Sequence, residues 1–159
     1  MPSRLSLVLD ANLLLLFTVG STNKKLIKRH KKLKAYSVAD YDLLVDLISA
    51  TRETVVTPNT LTEVSNLLKQ GMEEPARTLL YETFRTVIHA TNENVVSSKT
   101  ASDAKEFVRL GLTDAALLEI MTGERSLLTA DLDLYLATLK RGGSAINFFH
   151  LKQTGQRAE

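Results

Sequence analysis

A chain of 159 residues, 44% hydrophobic and 24% charged, has the proportions of one globular domain, which excludes disorder throughout and two separate cores. It holds no cysteine, which excludes disulfides, thiolate zinc sites and cysteine nucleophiles and suits a cytoplasmic location; no apolar run approaches the ~18 residues of a membrane span, and Asp10 interrupts the apolar start that a secretory signal would need. The net charge of +2 conceals an asymmetry: Lys24, Lys25, Lys28, Arg29, Lys31, Lys32 and Lys34 crowd with His30 into one acid-free stretch, and removing these seven from the 20 basic residues leaves 13 against 18 acidic ones. Such a stretch on an acidic body points to an anionic partner, nucleic acid among them.

Leu5 to Leu9 is an apolar run and the first predicted strand. A helix follows from Ala11 to Thr18, and Ser21 to Leu33 reads as a basic helix with Leu26, Ile27 and Leu33 as its few apolar positions. Tyr41 to Ala50 carries Leu43, Leu44, Leu47 and Ile48 on one face of an amphipathic helix. Thr54 to Thr57 reads as a short buried strand stopped by Pro58, and Thr60-Leu61-Thr62-Glu63 matches a capping box opening a helix to Gln70, with Gly71 as its stop. Pro75 starts a helix with Leu79, Leu80, Phe84, Val87 and Ile88 on one side. Val95-Val96 predicts a small strand, Ala101 to Leu110 a helix ended by Gly111, and Thr113 the cap of a helix to Thr122. Ser126 to Thr129 is a strand, Asp131 to Lys140 a helix and Ala145 to Phe148 a last strand. The alternation predicts an α/β fold: a single domain over residues 1–151, its central parallel sheet covered by helices on both faces. Within it lies a basic helical insertion at 20–50, and after it a flexible tail at 152–159. In such sheets ligands bind beyond the carboxyl ends of the strands.

Acids stand at those ends. Leu7-Val8-Leu9 leads into Asp10, Val55-Val56-Thr57 leads through a helix start to Glu63, and Leu127-Leu128-Thr129-Ala130 leads to Asp131 with Asp133 beyond. Asp114 lies in the first turn of the helix after Gly111. Each alone is an ordinary helix cap, worth about 0.3–1 kcal/mol against the helix dipole. Together they are costly: two carboxylates about 5 Å apart repel by roughly 3 kcal/mol at an effective dielectric of about 20. A convergent set therefore needs protons or cations, and oxygen donors without His or Cys suit Mg²⁺ or Mn²⁺. Acid-bound Mg²⁺ most often serves phosphoryl transfer.

Leu7-Val8-Leu9-Asp10-Ala11-Asn12, Glu63 within Thr57 to Val64, Leu112-Thr113-Asp114-Ala115-Ala116-Leu117 and Leu128-Thr129-Ala130-Asp131-Leu132-Asp133 occur in this order. Together with the closing strand Ala145 to Phe148, this set resembles the PIN-domain nucleases, including VapC-type toxins, over about Leu5 to Phe148. The resemblance implies a Mg²⁺- or Mn²⁺-dependent ribonuclease releasing a 5′-phosphate product. Its catalytic, metal-holding acids match Asp10, Glu63, Asp114 and Asp131, with Asp133 as a further metal-site acid and Asn12 and Thr129 orienting the carboxylates. The long stretch from Gly20 to Ala50 departs from a minimal toxin of this family.

Lys24, Lys25, Lys28, Arg29, Lys31 and Lys32 are expected to meet the RNA backbone. A non-catalytic RNA-binding module or an RNA-processing protein on the same fold is the rival reading. RNA, a neutralising antitoxin protein and a second copy of the chain are the partners considered. No phosphate-binding loop, dinucleotide fingerprint or nucleophile elbow occurs, and His30, His89 and His150 have no ligand-like spacing.

Overall fold

The computed structural model describes residues 5–158; residues 1–4 of the expected domain and residue 159 of the expected tail lie outside them. Strand β1 (Ser6–Leu9) is buried along its whole length, as a central parallel strand with apolar layers on both faces must be. It pairs in parallel with β2 (Glu53–Val56) on one side and β4 (Arg125–Thr129) on the other. β3 (Asn92–Glu93) extends the sheet beyond β2, and β5 (Ser144–Asn147) beyond β4. The order β3-β2-β1-β4-β5 confirms the expected all-parallel α/β architecture.

Alternation along the strands divides the core. Leu7, Leu9, Val56 and Leu128 face one layer, formed by α1 (Ala11–Thr22), α3 (Val38–Ser49), α4 (Pro58–Leu68) and α5 (Ala76–Ala90). Val8, Val55 and Leu127 face the other, formed by α8 (Leu112–Glu119) and α9 (Leu132–Lys140). Arg141 ties the second layer together: its guanidinium holds Glu106 at 2.6 and 2.9 Å and Glu119 at 3.2 Å. That bond to Arg141 pulls the Glu106 carboxyl down to about 2. Among the described residues no helix is long and apolar enough to cross a membrane.

The basic stretch is not the single helix expected from Ser21 to Leu33. α1 runs on to Thr22, one short turn follows as α2 (Leu26–Arg29), and the chain then folds back through turns. Like charges at i, i+4 disfavour a longer helix, while Leu26, Ile27, His30 and Leu33 are all drawn into the core. The buried His30 acts as a bolt. Its Nε2 bonds the Leu67 carbonyl at 3.1 Å and its Nδ1 accepts the Lys32 N–H at 3.1 Å, which fixes a neutral ring; burial lowers its pKa. Lys24 has an acid partner after all, Asp42 on α3 at 2.9 Å.

Other boundaries shift for local reasons. Pro58 opens α4 rather than merely stopping β2, because Thr57 is the true cap: its Oγ1 accepts the Thr60 N–H at 3.1 Å. The capping box expected at Thr60–Glu63 is therefore absent. The helix expected over 101–110 is two short ones, α6 (Ser98–Ser102) and α7 (Phe107–Leu110). The small strand lies at Asn92–Glu93, and Val95 is 78% exposed. The expected tail continues as helix α10 (Phe148–Ala158), where Lys152 reaches the buried Asp40 of α3 at 2.9 Å and Phe149 stacks on Tyr36.

The docking of α3 on α1 depends on Gly20. A Cβ there would lie 2.2 Å from the Tyr41 ring, which stacks on Phe17 and whose hydroxyl meets Ser21 Oγ at 3.0 Å. Gly20→Ala should destabilise the protein by about 1–3 kcal/mol through overpacking. Urea unfolding checks this, and the loss should shrink in a Tyr41→Ala background where the ring is gone.

Candidate carboxylate site

The chain leaves β1 toward β2 and β3 on one side and later crosses to β4 and β5 on the other, so the strand order reverses between β1 and β4. A crevice at the carboxyl ends of two such strands is where doubly wound sheets hold ligands. Asp10 follows β1 there, and Thr129 and Asp131 stand at the end of β4.

Asp10 is buried and caps α1: its Oδ1 accepts the Leu13 N–H at 3.1 Å. Its Oδ2 accepts the Thr129 hydroxyl. Thr129 Oγ1 in turn accepts the Asp131 N–H at 2.9 Å, so one fully buried hydroxyl links both acids. Asp131 is exposed and caps α9 through the Leu134 N–H at 3.1 Å. Burial pushes the Asp10 carboxyl up to about 6, against the hydrogen bonds from Thr129 and Leu13, and Asp131 adds to the rise.

Asp114 arrives from the opposite layer. Gly111 turns the chain between α7 and α8 at φ +89°, a conformation that side-chain-bearing residues rarely adopt, and no side chain caps α8. Asp114 stands half-buried in the first turn of α8 without a hydrogen-bond donor among the described residues. Burial pushes its carboxyl up to about 7, with Asp131, Asp10 and Glu63 adding their fields in that order. Glu63 is exposed on α4 and, with no capping box to complete, its side chain makes no hydrogen bond among the described residues. The four acids singled out from sequence thus come from four separate segments, and three of them act on Asp114.

They share a field rather than a coordination shell. Among the described residues no group of three acidic or histidine side chains stands close enough to hold one ion. Hydrogen bonds explain part of this, since both Asp10 oxygens and one Asp131 oxygen are already engaged. Asp133 is exposed on α9 and is not among the carboxylates acting on Asp114. Asn12 is exposed near Asp10, and its side chain makes no hydrogen bond among the described residues.

An open groove of about 390 Å³ runs beside Glu63, lined by Pro58, Asn59, Thr62, Glu63, Asn66, Leu112 and Thr113. Amides and hydroxyls dominate its polar lining, a surface suited to hydrogen-bonding a sugar or phosphate. Of the basic residues, Lys25, Lys28, Arg29, Lys31 and Lys32 are exposed and their side chains have no partner among the described residues. Sequence reading missed Tyr36, which is buried where Asp10 and Asp40 both act on it; burial raises its pKa, and the two carboxylates raise it further. The signal was present in Ser37-Val38-Ala39-Asp40, whose ends form a capping box at 2.8 and 3.2 Å. No protein-family model matches the chain, and no curated protein matches it.

The raised carboxyls have a thermodynamic consequence with a definite sign. Asp10 and Asp114 hold protons more tightly folded than unfolded, so the contribution of these two groups to stability falls as pH rises from about 4 to about 7, opposite in sign to that of the buried His30. Asp114→Asn removes the larger share. Without metal, its melting temperature should exceed that of wild type by a few degrees at pH ~8. The two should converge below pH ~3, under the ordinary aspartate value of 3.8, where the side chain is largely protonated in both states. Thermal denaturation across that range checks this.

Proposed function

We propose that this chain is a divalent-metal-dependent ribonuclease of the PIN-domain class. The single observation that carries the reading is the Asp114 carboxyl, which lacks a hydrogen-bond donor and is held up to about 7 by burial and by three other acids. A buried carboxyl whose pKa three neighbouring acids raise lacks a counter-charge, and oxygen-only donors fit a hard divalent cation such as Mg²⁺ or Mn²⁺. Glu63 and Asp114, whose carboxylates no donor engages, would turn toward it, and Asp10 and Asp131 would hold it from their helix caps once that pair has closed in. Such an ion supplies neutralisation of phosphodiester charge and makes a neighbouring water more acidic.

The chain's own groups do the rest. Thr129 holds Asp10 Oδ2 and, through the Asp131 N–H, sets the spacing of the two caps at the strand ends. Asn59, Thr62, Asn66 and Thr113 line the groove beside Glu63 and offer donors and acceptors to an RNA backbone crossing toward the acids. The five unpartnered cations between Lys25 and Lys32 add a sequence-independent attraction for phosphates. Those cations also favour the second reading, an RNA-binding module in which the acids only cap helices.

Two measurements separate these readings. Purified protein should cleave single-stranded RNA only with Mg²⁺ or Mn²⁺, and Asp114→Asn or Glu63→Gln should lower the rate by about 100-fold or more. Undiminished cleavage in either variant would reject the assignment, while tight RNA binding without cleavage would favour the binding module. Replacing Lys28, Lys31 and Lys32 by Gln should flatten the log affinity against log salt plot by about two units, at about 0.7 per phosphate contact. Cleavage at saturating RNA should then change little.

A further inference from the structure

The groove beside Glu63 is lined from both layers of the fold. Pro58, Asn59, Thr62 and Asn66 come from α4 on one side of the sheet, and Leu112 and Thr113 from the start of α8 on the other. Asn59, Thr62 and Asn66 follow one another at steps of three and four residues, which puts them in one line along α4. The other side of that helix, Leu61, Val64 and Leu68, is buried. Thr57 and Thr60 already cap the helix between them, so the three polar side chains have no capping to do. Among the described residues none of the three makes a hydrogen bond, and neither does the Thr113 hydroxyl.

The lining indicates the occupant. Among the described residues around the groove, Glu63 alone is charged. A phosphate lying in it would meet a carboxylate and no cation. A neutral polar group with apolar faces fits better. Pro58 and Leu112, both half-buried, supply apolar contact, one from each helix. Each Asn amide offers two donors and an acceptor oxygen. That set matches the adjacent donor and acceptor on the edge of a nucleobase, as in the pairing of Asn with adenine. The two amides stand two turns, about 10.5 Å, apart along the helix, so one base lying between them meets an amide at each of two edges. Bases of single-stranded RNA present those edges unpaired, and apolar side chains hold the faces of a base taken out of its stack. The volume of about 390 Å³ lies at the lower end of the roughly 300–1,000 Å³ of small-molecule clefts, room for one nucleoside rather than a length of chain.

We propose that this groove is a nucleobase subsite, taking one unpaired base that the Asn59 and Asn66 amides read and that Pro58 and Leu112 hold. Base identity, and not only phosphate charge, then selects where RNA is bound. Thr113 joins the subsite to the acids, since Asp114 is the next residue of α8. The proposal rests on the ribonuclease reading for its place beside the cleaved phosphate, but neutral nucleosides test it without metal and without cleavage.

Each of the four ribonucleosides, and methyl riboside as the sugar alone, is titrated to about 10 mM into the full chain labelled with nitrogen-15, and NMR follows the side-chain amide signals of Asn59 and Asn66. At least one nucleoside should shift both signals, with half-saturation on the order of 1 mM. The best and the worst nucleoside should differ by about fivefold or more. Methyl riboside should leave both signals in place. Asn59→Ala and Asn66→Ala should each weaken the preferred nucleoside by about threefold or more, and the double variant should lose the preference while melting as a folded protein. That pattern supports the proposal. No shift with any nucleoside overturns it. So do equal shifts with methyl riboside, which mark a sugar contact, four nucleosides that bind alike, or a preference that survives the double variant. Base preference in a chain that cleaves no RNA leaves the subsite standing and sinks the ribonuclease reading; cleavage without base preference does the reverse.

Discussion

Repulsion of the half-buried Asp114 carboxyl by Asp131, Asp10 and Glu63 is the constraint on which the carboxylate end of the molecule depends. Two of these acids sit at the ends of neighbouring strands, one comes from a helix on each face, and burial deepens the cost at Asp10 and Asp114. A fold selected only for stability would not keep an unpartnered carboxyl in that setting, because replacing it would remove the penalty. On the metal-dependent reading proposed above, a cation would offset that penalty, and protein stability is commonly exchanged for function at such places.

The four acids divide by what else they do. Asp10 and Asp131 are true helix caps, each accepting the N–H three residues on, and Thr129 links them. Their presence would be explained by local structure even without a ligand. Glu63 and Asp114 have no such role: α4 is capped by Thr57, and α8 starts at a glycine without a side-chain cap. The functional reading therefore rests on the latter pair. The separation between the carboxylates also has a structural basis. Hydrogen bonds commit Asp10 and Asp131 to their helices, leaving Glu63 and Asp114 as the side chains free to reorient toward an ion.

Much of the fold was legible because buried parallel strands advertise themselves as continuous apolar runs. Leu7-Val8-Leu9 and Leu127-Leu128 could be placed from sequence, and with them Asp10 and Asp131. Where local pattern competed with tertiary contact, local pattern lost. The stretch from Lys24 to Lys34 looked helical, but Leu26, Ile27, His30 and Leu33 each reach the core, which one continuous helix with so many charges does not satisfy. The segment after Lys152 looked like a frayed tail because its one tether, the buried Asp40, lies 112 residues earlier. Thr60–Glu63 matched a capping box only because Thr57 and Pro58 had been assigned to ending a strand. Glu63 was singled out as a site acid, and the structural role first offered for it, a capping box, does not exist because Thr57 caps α4. Convergence of the acids depends on sheet order, which no single sequence states.

Observing the Asp114 carboxyl directly would test the central claim. A carbon-13 NMR titration of the aspartate side chains, run without metal and again with Mg²⁺, reports each carboxyl separately. The account predicts that Asp114 titrates near 7 in the metal-free protein and falls well below that when Mg²⁺ is added, with Asp10 following from about 6. An Asp114 that titrates in the ordinary carboxylate range and ignores Mg²⁺ would contradict it.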